Sequence, residues 1–214
     1  MKMPESCRVI YGKGNFLKFV SVSIVGITIM LIGGLIKSFA EIEGFFRGFI
    51  DGFCISFCGI MNIVAAEMLI LGALGAVRRV TPGYMYFHSM ANGFLHFKRS
   101  FILANLTGVL LTAIYAAVGM IFFSNTLMLS MILAAFLVMG WCDLVGSSKH
   151  QWLPVLGFAL TGFVFGIVSG LIDEEELELF PFFNLAVIGA GAVFYIVCLI
   201  IAFSRAEKLW SRED

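Results

Sequence analysis

The sequence predicts an all-α integral membrane protein with six transmembrane helices and both termini in the cytoplasm. Of its 214 residues, 60% are hydrophobic and only 13% are charged, and its mean hydropathy is +1.00. Soluble domains carry about a quarter charged residues, so a soluble fold would not hide this much apolar surface. The same composition excludes a disordered chain, a nucleic-acid-binding protein with a broad basic face and a secreted disulfide scaffold.

Six stretches with few or no charges approach the roughly 20 apolar residues that a membrane-crossing helix needs. The stretch from Ser100 to Cys142 contains no Asp, Glu, Lys or Arg, and the polar pair Ser124 and Asn125 divides it into two spans. Pro181 suits the first turn of the last span. The predicted spans are residues 19-36, 45-77, 100-123, 126-146, 152-172 and 181-204, between a cytoplasmic amphipathic lead-in (1-18) and a cytoplasmic tail (205-214).

The basic residues near the span ends predict the orientation, because cytoplasmic loops are enriched in Lys and Arg. With both termini inside, all 14 Lys and Arg residues except Lys37 and Arg47 lie on the cytoplasmic side. This pattern predicts a multi-pass protein of the plasma membrane. The outer loop before the last span carries an acidic cluster, which predicts a solvated loop or a surface that attracts cationic substrates or ions. Its members are Asp173, Glu174, Glu175, Glu176 and Glu178.

Glycines at every fourth position predict close helix contacts in two spans. They are Gly44, Gly48 and Gly52 in the second span and Gly162, Gly166 and Gly170 in the fifth. Small residues at this spacing let two helix backbones approach each other, either within one chain or across a dimer seam.

Charged residues inside the spans need separate explanations, because lipid does not solvate them. Arg47 and Asp51 are four residues apart, which predicts an ion pair on one helix face. Glu67 lies roughly 15 Å from the cytoplasmic end of its span. It is a candidate pathway residue or proton site, or else a carboxyl neutralised inside the bundle. Asp143, at the inner end of the fourth span, is given no special role.

The cytoplasmic loop between the second and third spans, residues 78-99, is rich in aromatic residues. Thr81 and Pro82 form a helix-start signal, and Asn92 followed by Gly93 forms a helix-stop or turn signal. A short aromatic helix between them suits an interfacial position among lipid headgroups or a docking element for a cytoplasmic partner.

Neither a catalytic nor a metal site is evident from the motifs. The sequence contains no HExxH, GxSxG or P-loop pattern, and its five cysteines match no disulfide or metal-ligand spacing. His88 and His96 are separated by the predicted turn, so they do not share a helix face. We therefore predict a chain that is not an enzyme by itself and that holds no metal or cofactor.

The layout as a whole resembles the membrane subunit of type-2 ABC exporters. That family has six spans, a connecting helix before the first span, a coupling helix between the second and third spans that inserts into the ATPase, and an outer re-entrant hairpin. The resemblance implies a partner ATPase that carries ATP and Mg, and a dimer with a second permease copy or a paralogue. It also implies contact with membrane lipid and none with nucleic acid. The residues that it assigns to ATPase coupling are Thr81, Pro82, Tyr84, Tyr86, Phe87 and His88.

The function implied by the resemblance is export of a hydrophobic or amphipathic substrate, such as a peptide, a lipid or a drug. Two alternatives share the same span count: the substrate-binding membrane subunit of a vitamin importer, and a structural or regulatory membrane protein without transport. A secondary transporter that uses Glu67 for protons is less favoured, because inverted repeats and interrupted helices are not evident.

Overall fold

A computed structural model describes residues 5–11, 14–39, 44–75, 82–123, 125–146, 153, 156–157, 159 and 181–211. Its helices are α1 (Glu5–Tyr11), α2 (Asn15–Phe39), α3 (Phe45–Leu74), α4 (Pro82–His88), α5 (Gly93–Phe122), α6 (Asn125–Val145) and α7 (Pro181–Ser211). Thr81, nearly all of the predicted fifth span with its three glycines, and the acidic cluster at residues 173–178 lie outside the described residues.

Four of the described helices are long and apolar enough to cross a membrane. They are Asn15–Phe39, Phe45–Leu74, Gly93–Phe122 and, within α7, Ile188–Trp210, with mean hydropathies of 2.0 to 2.4. Within α6, the segment Met131–Val145 is a shorter apolar helix. Both α2 and α7 expose large apolar side chains along their lengths, as helices that face lipid do. The described chain is therefore the all-helical bundle of a multi-pass membrane protein.

Helix boundaries differ from the predicted spans mainly where charged residues continue a helix. α2 begins at Asn15 and not at residue 19, so the end of the predicted lead-in belongs to the spanning helix. α5 begins at Gly93 and includes Lys98 and Arg99, and α7 continues to Ser211. A charge-free stretch shows which residues cross the hydrocarbon core of the membrane, whereas a helix ends where its backbone is capped or turned. The ends of the predicted spans therefore differ from the ends of the helices.

Two predicted turns are confirmed. Asn92 has a left-handed backbone (φ 62°) between α4 and α5, and a side chain at Gly93 would collide with the carbonyl oxygen of Phe87. This turn folds α4 back onto the start of α5. The hairpin also lies where it was predicted, because α5 ends at Phe122 and α6 begins at Asn125.

Helix α3 is the centre of the bundle and contacts α1, α2, α5 and α6. Glycines allow the closest approaches: Gly59 faces the hydroxyl of Tyr115 on α5, and Gly108 of α5 faces Ala66 of α3. The predicted glycine stripe behaves differently. A Cβ at Gly44, Gly48 or Gly52 would meet no described residue within 4 Å. Among the described residues these three glycines therefore make no close helix contact, and packing within the chain and the dimer seam both stay predictions.

The ion pair predicted between Arg47 and Asp51 within α3 is wrong. Asp51 accepts two hydrogen bonds of 2.8 Å from Lys37 of α2, and Arg47 is exposed. Because α2 and α3 are antiparallel neighbours, residues far apart in sequence meet at this end of the hairpin. The ion pair therefore joins two helices and does not stabilise one.

We expect Gly59→Val to lower the stability of the bundle and Gly52→Val to leave it nearly unchanged. A Cβ at Gly59 would lie 2.8 Å from the hydroxyl oxygen of Tyr115, which itself donates to the carbonyl of Ile55 at 2.6 Å. Overpacking of this kind costs about 1–3 kcal/mol. Thermal unfolding in detergent measures the difference between the two variants. Equal unfolding temperatures would contradict the close approach of α3 and α5.

Candidate functional site

The short helix predicted between the second and third spans is present as α4, and its Phe87 side chain faces inward. Phe87 is completely buried in the hydrophobic core, and Tyr86 is half-buried against that core. A residue with no exposed surface does not touch a partner in this conformation. The assignment of Phe87 as an ATPase contact is therefore corrected: its side chain fixes α4 to the bundle.

Aromatic stacking attaches α4 to the C-terminal part of α7. The His88 ring stacks on Trp210 with ring centroids 4.0 Å apart and an angle of 15° between the planes. Phe94 and Phe97 of α5 lie 5.3 and 6.0 Å from the same indole. The three helices are thus joined through Trp210.

Tyr11 attaches α1 to the same end of the bundle, which we call the α4 end. Its hydroxyl donates to the carbonyl of Leu69, and its ring lies against Gly72 of α3. Phe16 and Phe19 pack on the ring in T-shaped, edge-to-face contacts. The end of the lead-in is therefore anchored in protein at Tyr11, which is only 4% exposed.

The exposed side of α4 and of the turn after it is formed by residues that the family resemblance did not assign to ATPase coupling. Met85 is 67% exposed, and Ser89 and Asn92 are also exposed. Met85 lies in α4, and Ser89 and Asn92 lie in the turn that joins α4 to α5. We call these three residues the Met85 face. Of the predicted coupling residues, Pro82 and Tyr84 lie in or at the start of α4, and the placement of their side chains lies outside the described residues.

A line of buried polar side chains crosses the bundle away from α4. Asn62 of α3 accepts a 2.6 Å hydrogen bond from Ser23 of α2 and donates a 3.1 Å hydrogen bond to Thr112 of α5. All three side chains are at most 2% exposed. Because lipid offers no hydrogen-bond partner, these contacts tie the three helices together.

A second buried group surrounds Asp143 of α6, which is 0% exposed. Its Oδ1 accepts from the Asn105 amide of α5 at 3.3 Å, and the Asn105 carbonyl accepts from the Tyr195 hydroxyl of α7 at 2.7 Å. The Oδ2 atom of Asp143 has no hydrogen-bond partner among the described residues. The cluster therefore joins α5, α6 and α7 and leaves one carboxyl oxygen unpaired.

Glu67, the predicted pathway residue, lies on α3 next to this cluster. It is half-buried, and its carboxyl lies beside the thiol of Cys142, the residue that precedes Asp143. The predicted neutralised interior carboxyl and the predicted pathway residue both remain compatible with this position. The structure adds a second carboxyl, on a neighbouring helix.

Asp143 is the functional candidate that the sequence interpretation missed. The sequence interpretation gave it no special role, because it lies at the inner end of the fourth span with Lys149 and His150 close by in the sequence. The signals that point to it are Asn105 and Tyr195, polar residues inside otherwise apolar spans. Such residues are costly in lipid unless they meet a partner within the bundle.

The geometry of the Asp143 cluster indicates what the cluster is able to bind. A scan against protein-family models and searches of curated proteins and of solved structures gave no match to this chain. The described residues contain no group of three or more His, Cys, Asp or Glu side chains that could hold a metal ion. What the cluster presents is the unpaired Oδ2 atom of Asp143, whose Oδ1 atom is held by Asn105, which in turn accepts from Tyr195.

We expect Tyr195→Phe to lower the free energy of unfolding by about 1 kcal/mol, because the variant leaves the buried Asn105 carbonyl without its donor. In a double-mutant cycle with Asn105→Leu, the coupling should reach about 0.6–1.7 kcal/mol. SDS-induced unfolding in mixed micelles gives both values. Tyr86→Phe is the matched control, since the Tyr86 hydroxyl makes no side-chain hydrogen bond among the described residues. A coupling near zero would contradict the Tyr195–Asn105 contact.

Proposed function

We propose that this chain is the permease subunit of an ATP-driven ABC exporter that moves a hydrophobic or amphipathic substrate across the plasma membrane. In this proposal the chain has six spans and cytoplasmic termini, and it pairs with a second permease copy or a paralogue. A separate cytoplasmic ATPase supplies ATP and Mg. The four apolar helices and the asymmetric distribution of basic residues support the membrane part of the proposal.

One observation carries the coupling part: the short helix α4 is rigidly attached to the spanning helices. Phe87 is buried in the core, and His88 stacks on Trp210 of α7. The Asn92 turn continues α4 directly into α5. A displacement of α4 is therefore transmitted to α5 and α7, as a coupling helix requires, because packed side chains repack as units.

The proposed ATPase contact is the Met85 face and not the buried Phe87. Methionine adapts its shape to irregular partner surfaces, and it is enriched in interface cores. Ser89 and Asn92 supply hydrogen-bonding groups beside it. In this proposal Phe87 anchors one side of α4 in the hydrophobic core, and Met85 on the exposed side of α4 contacts the ATPase.

We expect Met85→Lys to reduce capture of a copurifying ATPase by about tenfold or more, as for other interface hot spots. The measurement is a pull-down in mild detergent from the native membrane, with mass spectrometric identification and quantification of the captured proteins. Leu209→Lys is the control, because Leu209 is 39% exposed in the last part of α7 and receives the same charge. It should leave capture unchanged.

Two outcomes would contradict the proposal. If no ATPase copurifies with the unaltered chain, the exporter assignment is wrong. If Met85→Lys retains full capture, the Met85 face is not the contact. Phe87→Ala does not serve as a test, because emptying this core position costs about 3–5 kcal/mol and destabilises the bundle itself.

We expect the termini and the turn after α4 to lie on the cytoplasmic side. In a Cys7→Ser background, Arg47→Cys and Glu175→Cys should react with a membrane-impermeant thiol reagent in intact cells, and Ala91→Cys only after permeabilisation. Arg47 and Ala91 are exposed, and Cys54, Cys58, Cys142 and Cys198 are buried. Labelling of Ala91→Cys in intact cells would reverse the orientation.

A further inference from the structure

The unpaired oxygen of Asp143 is the feature of the bundle that packing alone does not explain. The side chain has no exposed surface, and only its Oδ1 atom accepts a hydrogen bond, from Asn105. An ionised carboxylate buried with one neutral hydrogen bond and one bare oxygen costs several kcal/mol. A bundle that keeps such a group either neutralises it or binds something to it.

Among the described residues, no basic side chain pairs with Asp143. The elements packed against α6 are α3, α5 and α7, and the titratable or charged groups that they and α6 direct toward this region are Glu67, Cys142, Tyr195, Cys198 and Arg205. Arg205 donates to the backbone carbonyl of Leu144 at 3.1 Å and makes no ion pair with Asp143. The remaining groups are neutral or acidic.

The ligand that fits this arrangement is a proton. A metal ion requires several converging ligands, and the described residues do not provide three. A proton needs a single free carboxyl oxygen, and binding it removes the buried charge altogether. Asn105 is also oriented for this state. With its carbonyl engaged by Tyr195, it turns its amide group toward Asp143 and holds the Oδ1 atom, leaving Oδ2 for the proton.

We propose that Asp143, held by Asn105, which Tyr195 orients, is a proton-binding site at which the bundle takes up and releases a proton. Release breaks the O–H bond at Oδ2, transfers the proton to water and leaves a carboxylate. That carboxylate requires water or a cation, so α6 has to separate from α5 and α7. Asp143 lies two residues before the end of α6, about 3 Å along the axis, so the path to the predicted cytoplasmic surface is short. Proton binding there does not require an ATPase partner.

The test is infrared difference spectroscopy of the full chain in phosphatidylcholine vesicles. At pH 7 the unaltered protein should show the C=O stretch of a protonated carboxylic acid, which shifts in D₂O. Asp143→Asn should abolish this band, and the control Glu67→Gln should retain it. A spectrum with carboxylate bands alone, a band insensitive to Asp143→Asn, or a band that disappears when Na⁺ or K⁺ is added would overturn the proposal.

A second readout does not depend on spectral assignment. Raising the pH should lower the unfolding temperature of the unaltered protein, because ionising the buried carboxyl favours states in which it reaches water. The neutral Asp143→Asn variant has nearly the same shape and should lose most of that dependence while folding normally. An unchanged pH dependence in Asp143→Asn would show that the proton resides elsewhere.

Discussion

Lipid offers no hydrogen bonds, and this constraint organises the whole bundle. A polar side chain in a spanning helix bonds either to the backbone of its own helix, as Thr28 and Thr107 do, or to another helix. The second kind of contact ties neighbouring helices together. Asn62 illustrates the effect, since it contacts Ser23 on one side and Thr112 on the other. Three helices meet at one side chain because only there can its amide be satisfied.

The same constraint gives the two ends of the molecule different roles. Near the start of α3, Lys37 and Asp51 close the hairpin of α2 and α3 with an ion pair. At the α4 end, aromatic residues gather around Trp210 and connect α4, α5 and α7. A pushing force applied to α4 is thus passed to the helices that also hold Asp143. In the exporter proposal, movement of α4 and opening of the Asp143 cluster are parts of one motion.

Close backbone contact in this bundle depends on glycines whose neighbours are large. Gly59 faces Tyr115, and Gly108 faces a methionine and an alanine. No described residue lies within 4 Å of a Cβ placed at Gly48 or Gly52 of the periodic stripe. Regular glycine spacing therefore identifies a helix surface that another helix is able to approach closely. Whether another helix does so depends on whether a large side chain from it packs against the glycines.

The sequence by itself determined the membrane class, the four described helices that are able to cross a membrane, the hairpin before Asn125 and the turn at Asn92, because hydropathy and turn chemistry act locally. It also identified Glu67 as unusual, since a carboxyl in an apolar run is conspicuous. Only the tertiary structure decided that Phe87 faces inward and that Asp143 is buried beside Asn105. Those outcomes depend on which helices are neighbours, and burial of one residue is set by side chains up to 90 positions away in sequence, as for Tyr195 and Asn105. Long-range packing of this kind leaves no periodic signal in the chain.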